Sequence, residues 1–327
     1  MSTDLMKAVR VHEPGGADQL RYEEVALPEP SKGQVRIRNR AIGLNFLEIY
    51  QRAGLYRREL PFVPGSECVG VIESVAEDAG DFKVGERVAT ESGLGTYAEF
   101  TTASADRVLR VPDGVSDELA AGALLQGLTA HYLACSTYPL KTGEVALVHA
   151  AAGGLGLLLV QIAKRRGARV IGTVSTNEKA AAAREMGADE VILYTTEDFE
   201  AKVRLLTHGV GVDVVYDSVG KTTFEKSLNC LKPRGYLVLC GQASGPVPPF
   251  DPQLLNRKGS LFLTRPTLAS YTLTRGELTW RADELFGWIE RGEVTVRVDR
   301  TFTLREAPSA HQYLEERRNI GKILLVP

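Results

Sequence analysis

The chain has 327 residues, with 39 Lys and Arg against 41 Asp and Glu, a formal charge of −2 that excludes a strongly basic nucleic-acid binder. At 44% hydrophobic and 24% charged it has the composition of an ordinary globular protein, long enough for roughly two domains, and not that of a disordered or coiled-coil chain. The longest uncharged apolar run, Ala150 to Val160, falls short of the ~20 residues of a membrane span and is broken by Gly153, Gly154 and Gly156.

The opening Met1-Ser2-Thr3-Asp4-Leu5-Met6-Lys7 has no basic region followed by an apolar core, so no secretion signal is expected; strand-like Val9-Arg10-Val11 follows almost at once. From Lys7 to about Pro112, short strand-like runs alternate with Gly and Pro turns, among them Gln34 to Arg38, Val69 to Ile72 and Tyr97 to Phe100. This pattern predicts a small β-rich domain. After Gln126 the strand-like runs Val145 to Val148, Arg169 to Thr173, Glu190 to Leu193, Asp213 to Tyr216 and Tyr236 to Leu239 are separated by helical segments, which predicts a doubly wound parallel sheet. Two of those helices carry stop signals: Gly154 to Arg166 ends at Gly167, and Glu178 to Met186 ends at Gly187. Beyond about Arg265 come a helical stretch containing Trp280 to Ile289 and the strand-like runs Val294 to Val298 and Lys322 to Val326. Cysteines at 68, 135, 230 and 240 form no CxxC and no dense framework, which suits free thiols in a reducing compartment and predicts a cytoplasmic protein.

Between the first strand and first helix of the second region, Ala150-Ala151-Ala152-Gly153-Gly154-Leu155-Gly156 fits GxGxxG with Ala151 in the first glycine slot. A strand before it, a helix after it and further βα units point to a dinucleotide site. Gly153 would let the backbone approach a pyrophosphate, Gly156 would let helix pack on strand, and the helix start supplies N–H donors. A glycine-rich helix entry with no ligand is the rival reading. The second strand leads into Thr173-Val174-Ser175-Thr176-Asn177-Glu178-Lys179, with no carboxylate at the strand end to bind a ribose 2′-hydroxyl. Ser175 and Lys179 suit a 2′-phosphate, hence NADPH; alternatively Lys179 is a solvated helix residue.

The segments Gly43 to Tyr50, Gly54-Leu55-Tyr56, Pro64 to Gly70, Gln126 to Ala130, Ala150 to Gly156 and Leu263 to Pro266 together give the chain its family likeness. It resembles, over nearly its whole length, the zinc-independent quinone oxidoreductase and zeta-crystallin branch of the medium-chain dehydrogenase/reductase superfamily. The resemblance implies an α/β fold in which a Rossmann domain (127–266) holds NADPH against a GroES-like β-barrel domain (1–126, completed by 267–327). It also implies that Asn45 approaches the nicotinamide and the substrate oxygen, while Tyr50 and Tyr56 line the substrate cleft. Asn45 could equally cap a helix starting near Phe46, and the tyrosines could be packing residues.

Cofactor contacts implied by the resemblance are Thr129, Leu155, Tyr194, Ser218, Cys240, Gly241 and Arg317, beside Gly153, Gly154, Gly156, Ser175 and Lys179. Thr129 could instead cap a helix, Cys240 could be a small hydrophobe, and Arg317 could lie on a solvated helix face. Zinc-dependent relatives carry ligands where this chain has Asn45 and Ser66, so no metal is expected. A quinone, already electron-poor, needs mainly to be positioned against the nicotinamide. The leading expectation is an NADPH-dependent reductase of small quinones, with an alkenal or enone reductase as the nearest rival. An NADPH-binding, RNA-associated or crystallin-like protein is the reading from another class, although the near-neutral charge argues against strong nucleic-acid binding. The family assembles through the edge of the nucleotide domain's sheet; Ser260 to Thr264 would be that edge strand, and a homodimer is expected.

Overall fold

A computed structural model of the chain describes residues 4–91 and 95–327; the first three residues, part of the stretch read for a secretion signal, lie outside the described residues. In chain order the elements begin with β1 (Leu5–Val11), β2 (Leu20–Ala26), β3 (Gln34–Leu44), α1 (Phe46–Arg52), β4 (Cys68–Val75), β5 (Arg87–Thr90), β6 (Phe100–Ser104), β7 (Val108–Arg110) and α2 (Asp117–Tyr132). There follow β8 (Val145–Val148), α3 (Gly154–Arg165), β9 (Arg169–Val174), α4 (Asn177–Glu185), β10 (Glu190–Leu193), α5 (Phe199–Leu206), β11 (Val212–Asp217), α6 (Phe224–Cys230) and β12 (Leu231–Leu239). The remainder is α7 (Gln253–Arg257), β13 (Phe262–Thr264), α8 (Arg275–Glu290), β14 (Val298–Thr303), α9 (Ala307–Glu315) and β15 (Lys322–Val326). Two compact units result, Met1–Leu125 with Thr274–Pro327, and Gln126–Leu273.

The second unit is built on six parallel strands in the order β10-β9-β8-β11-β12-β13. Its central strands β8, β9 and β11 are buried on both faces, which is why they read as near-continuous apolar runs instead of alternating. Strand order reverses between β8 and β11, so the crevice at their carboxyl ends is the topological switch point where such sheets bind ligands. The two glycine stops hold: Gly167 (φ +80°) follows α3 and Gly187 (φ +104°) follows α4, each in the left-handed region that glycine enters without a Cβ penalty.

In the first unit a seven-stranded sheet runs β14-β15-β3-β4-β5-β7, with β6 also paired to β3, while β1 and β2 form a separate hairpin. One apolar cluster joins Val9, Ile42, Leu44 and Tyr97 to Leu304, Leu314, Ile323 and Leu325, so residues from both ends of the chain share one core. Beside it Arg52, 2% exposed, makes a two-pronged contact with Glu315 (2.7 and 3.2 Å) and donates to His311 Nδ1 at 3.2 Å. That leaves the His311 Nε2–H to face the Tyr97 hydroxyl at 3.1 Å. Burial, with the Arg52 charge adding to it, holds the His311 pKa down at about 3.

Two expected strands are displaced. Tyr97 and Ala98 are fully buried but make isolated contacts instead of a ladder: the Tyr97 N–H donates to Pro64 O, its carbonyl accepts from Val9, and Ala98 bridges singly to Ala8. Regular pairing starts only at Phe100. Likewise Val294 and Val296 are buried, yet the Val294 N–H is taken by the carbonyl of Trp288, and Val296 packs so closely on α2 that a Cβ at Gly122 would come within 2.8 Å of it. Here the alternating valines record burial against a helix, and the strand begins at Val298.

Candidate active site

In the second unit the carboxyl ends of β8, β9, β10, β11 and β12 carry most of the residues expected for a dinucleotide. After His149 the chain turns through Ala150 (φ +51°), and the Gly153 N–H reaches back to the Ala150 carbonyl at 2.9 Å. The Ala151 N–H donates to the Thr173 carbonyl at 3.1 Å, which pins the loop to β9. Helix α3 then starts with Gly153 as an N-cap that offers no side chain of its own to the first N–H groups. A Cβ at Gly156 would lie 2.3 Å from the Ala150 carbonyl oxygen, and one at Gly154 would lie 2.0 Å from Gln126 Oε1. At Gly153 the nearest atom would be 3.4 Å away, an ordinary contact. Packing therefore demands glycine at 156, whereas at 153 the missing side chain leaves the approach to the helix start open. An anionic pyrophosphate fits such a cradle, because the N–H groups and the positive end of the helix face it.

At the end of β9 stands Ser175, whose carbonyl accepts from Thr195 Oγ1 at 3.1 Å, and the Tyr194 N–H donates to Val174 O at 3.1 Å. These bonds bring Ser175 and Tyr194 together; Lys179 lies one turn into α4, its N–H on the capping Thr176 hydroxyl. No carboxylate occupies the strand end, and Tyr194 is 40% exposed. Ser218 follows β11 directly, and a Cβ at Gly241 would sit 2.5 Å from the Ser218 carbonyl oxygen, so glycine there lets the two strand ends meet. The Cys240 and Gly241 N–H groups both donate to Asp217 O. Burial pushes the Cys240 thiol up to about 12, which keeps it protonated and unreactive. Thr129 lies inside α2 and does not cap a helix.

In the first unit Asn45 is the N-cap of α1, and its own N–H donates to Glu48 Oε2 at 2.7 Å in a capping box. Its side-chain amide is held at both ends: Nδ2 donates to Glu67 Oε1 at 2.9 Å, and Oδ1 accepts from Lys322 Nζ at 2.7 Å. Lys322 also donates to Glu67 Oε1 at 2.5 Å, and Glu67 Oε2 accepts the Leu125 N–H at 2.7 Å. Glu67 and Glu48 are fully buried, Lys322 is 1% exposed and Asn45 4%. One ammonium thus serves two carboxylates. Glu67 holds it directly; Glu48, with Oε1 buried and without a hydrogen-bond partner, is pushed up to about 7 chiefly by desolvation, against the pull of the nearby Ser66 hydroxyl and the Lys322 charge.

Tyr50 and Tyr56 pack on each other: the Tyr56 N–H donates to Tyr50 O at 3.0 Å and the rings meet edge to face with centroids 5.4 Å apart. Arg317 is not on a helix face. It follows the end of α9 with φ +56°, its N–H on Leu314 O at 2.9 Å, and it belongs to the first unit, whereas Ser175, Lys179 and Tyr194 belong to the second.

Residues 31–113 match the family described as alcohol dehydrogenase GroES-like domain, and residues 154–282 match that described as zinc-binding dehydrogenase. A quinone oxidoreductase of Pseudomonas aeruginosa is 48% identical over 96% of this chain and 97% of its own. A 2-haloacrylate reductase of a Burkholderia species is 45% identical over 99% of both. The crystal structure of Escherichia coli quinone oxidoreductase complexed with NADPH superposes with a TM-score of 0.97 at 41% identity, covering 98% of this chain and 100% of that one. The chain belongs to the zinc-independent quinone oxidoreductase branch of the medium-chain dehydrogenase/reductase superfamily.

Within that family the donor set around Asn45 tells against a zinc site. Asn45 and Ser66 offer a carboxamide and a hydroxyl, and the buried Lys322 ammonium sits against Asn45 Oδ1, where its positive charge opposes a cation. These residues do not fit zinc, and the described residues contain no group of three or more His, Cys, Asp or Glu able to hold a metal ion. The sequence pattern quotes Glu48 and Glu67 inside motifs without giving them a role, and places Lys322 only as the first residue of a strand. The spacing Asn45-x-x-Glu48 is a capping-box signal that could have identified the first. Nothing local marks Lys322, 277 residues from Asn45. Arg265, after β13, likewise stands inside a quoted motif without a role; its guanidinium is near enough to Tyr132 and Cys240 to oppose the effect of burial on both.

Proposed function

We propose that this chain reduces small quinones with NADPH, without zinc. The observation that carries the reading is the nucleotide end of the second unit: an uncapped helix start behind an open Gly153, with Ser175 and Lys179 in place of a carboxylate at the end of β9. NADPH supplies the hydride when bound. Gly153, Gly154, Leu155 and Gly156 would take its pyrophosphate; Ser175 and Lys179 would take the 2′-phosphate, Tyr194 would lie by the adenosine and Arg317 would reach a cofactor phosphate; and Thr129, Ser218, Cys240 and Gly241 would flank the remainder. Asn45, fixed at both ends of its amide, would present a set dipole to nicotinamide and substrate oxygen, and Tyr50 and Tyr56 would line the substrate cleft. Preorganised dipoles of this kind stabilise charge developing on a quinone oxygen without reorganising.

The 2-haloacrylate reductase at 45% identity favours a second reading, reduction of a conjugated double bond. Initial rates with 1,4-benzoquinone, 9,10-phenanthrenequinone, 2-chloroacrylate and a simple enone separate the two: quinone turnover in excess of the others supports the proposal, and turnover of the acrylate or enone alone overturns it. NADPH binding with no turnover of any acceptor would leave a binding protein. We also place the protein in the cytoplasm, supported by four free cysteines, and as a homodimer joined through β13. That strand ends the parallel sheet, and its Phe262, 49% exposed, stacks on Tyr236 at 4.4 Å. Light scattering at micromolar concentration should give twice the chain mass, and monomer alone would overturn the assembly.

A further inference from the structure

Behind the glycine loop lies a buried polar chain that no motif singles out. His149 is 3% exposed, with Nδ1 2.9 Å from Thr173 Oγ1 and Nε2 3.0 Å from Ser227 Oγ. Ser227 Oγ in turn donates to Asp217 Oδ2 at 2.9 Å. The fully buried Asp217 accepts three further donors, the Val219 N–H (2.8 Å), the Gly220 N–H (2.9 Å) and the Thr223 hydroxyl (2.8 and 2.9 Å).

The direction of every bond follows from the inventory of hydrogens. A serine hydroxyl has one proton, and here the carboxylate takes it, so Ser227 Oγ must accept from His149 Nε2–H. A neutral imidazole protonated at Nε2 has its lone pair at Nδ1, so Thr173 Oγ1 must donate there. The sequence of donors is Thr173 to His149 to Ser227 to Asp217. Burial holds His149 below the ordinary histidine range even though the Asp217 charge raises it, in keeping with a neutral ring. The Phe199 ring closes the site from one side, edge to face at 4.9 Å.

Three of the four members stand beside loops at the carboxyl ends of the strands, and Ser227 reaches them from α6. His149 immediately precedes Ala150 and the glycine loop, Thr173 is two residues before Ser175, and Asp217 immediately precedes Ser218. Backbone bonds run in parallel, from His149 N–H to Tyr216 O at 3.1 Å and from Ala151 N–H to Thr173 O at 3.1 Å. We propose that His149, as its Nε2–H tautomer, is a positioning residue for the dinucleotide, holding the glycine loop in register with the loops after β9 and β11. The inference rests on the dinucleotide reading above. Fixed loops do not have to be ordered when the cofactor arrives, and that is where the imidazole acts on affinity.

The test is NADPH binding by fluorescence titration for the wild type and for His149→Phe, His149→Gln, Ser227→Ala and Thr173→Val, together with side-chain ¹⁵N NMR of His149 in cofactor-free protein. The wild type should show the Nε2–H tautomer. His149→Phe should raise the NADPH Kd by about tenfold or more, and Ser227→Ala and Thr173→Val by about threefold each. His149→Gln, which keeps an amide donor toward Ser227, should recover part of the loss. An Nδ1–H tautomer, or a folded His149→Phe with wild-type affinity, overturns the proposal. If His149→Phe does not fold, Ser227→Ala and Thr173→Val decide it, and wild-type affinity in both overturns it. Wild-type protein that binds no NADPH would overturn the dinucleotide reading and this inference with it, whereas normal wild-type binding with unaffected variants removes the inference alone.

Discussion

The two functional regions are made in opposite ways. The nucleotide end is backbone: a glycine turn, an uncapped helix start and strand ends that meet through Gly241, all on one parallel sheet. Asn45's surroundings are side-chain charge, two fully buried carboxylates and one ammonium, drawn from positions 3, 22 and 277 residues along the chain from it. A backbone site tolerates changes of side chain so long as space and N–H direction survive. A charge cluster tolerates almost none, because each group is desolvated and depends on its neighbours.

The largest contrast should come from charge. Lys322→Met leaves Glu67 buried without its cation and should cost about 3–5 kcal/mol of stability in urea unfolding. Adding Glu67→Gln removes the stranded charge and should recover at least half of that. An equally large loss in the double variant would show that charge balance is not what holds Asn45.

Glu48 gives the cluster a pH signature. Its folded pKa of about 7 lies above the ordinary 4.5, so its stabilising contribution is complete below pH 4.5 and is lost as pH rises toward 7, a difference of roughly 3 kcal/mol. His311 runs the other way: held down at about 3 from 6.5, it contributes fully above pH 6.5 and loses that contribution as pH falls toward 3. The slopes overlap and oppose, so the informative quantity is the wild-type stability minus that of Glu48→Gln across pH 4.5–7.5. It should fall with pH; a flat difference contradicts a proton held on Glu48.

At the nucleotide end, Lys179→Ala should weaken NADPH binding by roughly tenfold to a hundredfold, the ~1.5–3 kcal/mol of a charge-assisted contact, and leave NADH nearly unchanged. Equal losses for both cofactors would remove Lys179 from the 2′-phosphate. The smallest effect on stability belongs to Gly153→Ala, within about 0.5 kcal/mol in the cofactor-free protein, because the new methyl meets only an ordinary contact. NADPH affinity should still fall, as the methyl enters the approach to the helix start. Gly156→Ala must collide with the Ala150 carbonyl and should destabilise the fold itself.

The same contrast sets what was legible in the sequence. The parallel sheet, the glycine loop and the stops at Gly167 and Gly187 were readable because each rests on contiguous residues and on backbone rules that hold locally. Val294 to Val298 misled because alternation reports which residues are buried and not which backbone groups pair. Asn45 was visible both as a helix cap and as a site residue; the structure confirms the cap, and shows an amide fixed by partners that the cap motif does not name. Lys322, within an apolar terminal strand, and His149, one of five scattered histidines, carry no pattern of their own, since their significance lies in tertiary neighbours.

The most direct test of the account is a set of initial rates of NADPH and NADH oxidation with 1,4-benzoquinone and 9,10-phenanthrenequinone on chelator-treated, metal-free protein. The account predicts quinone-dependent oxidation that prefers NADPH and survives metal removal. Activity that needs added zinc, a preference for NADH, or no quinone turnover from protein that binds NADPH would contradict it.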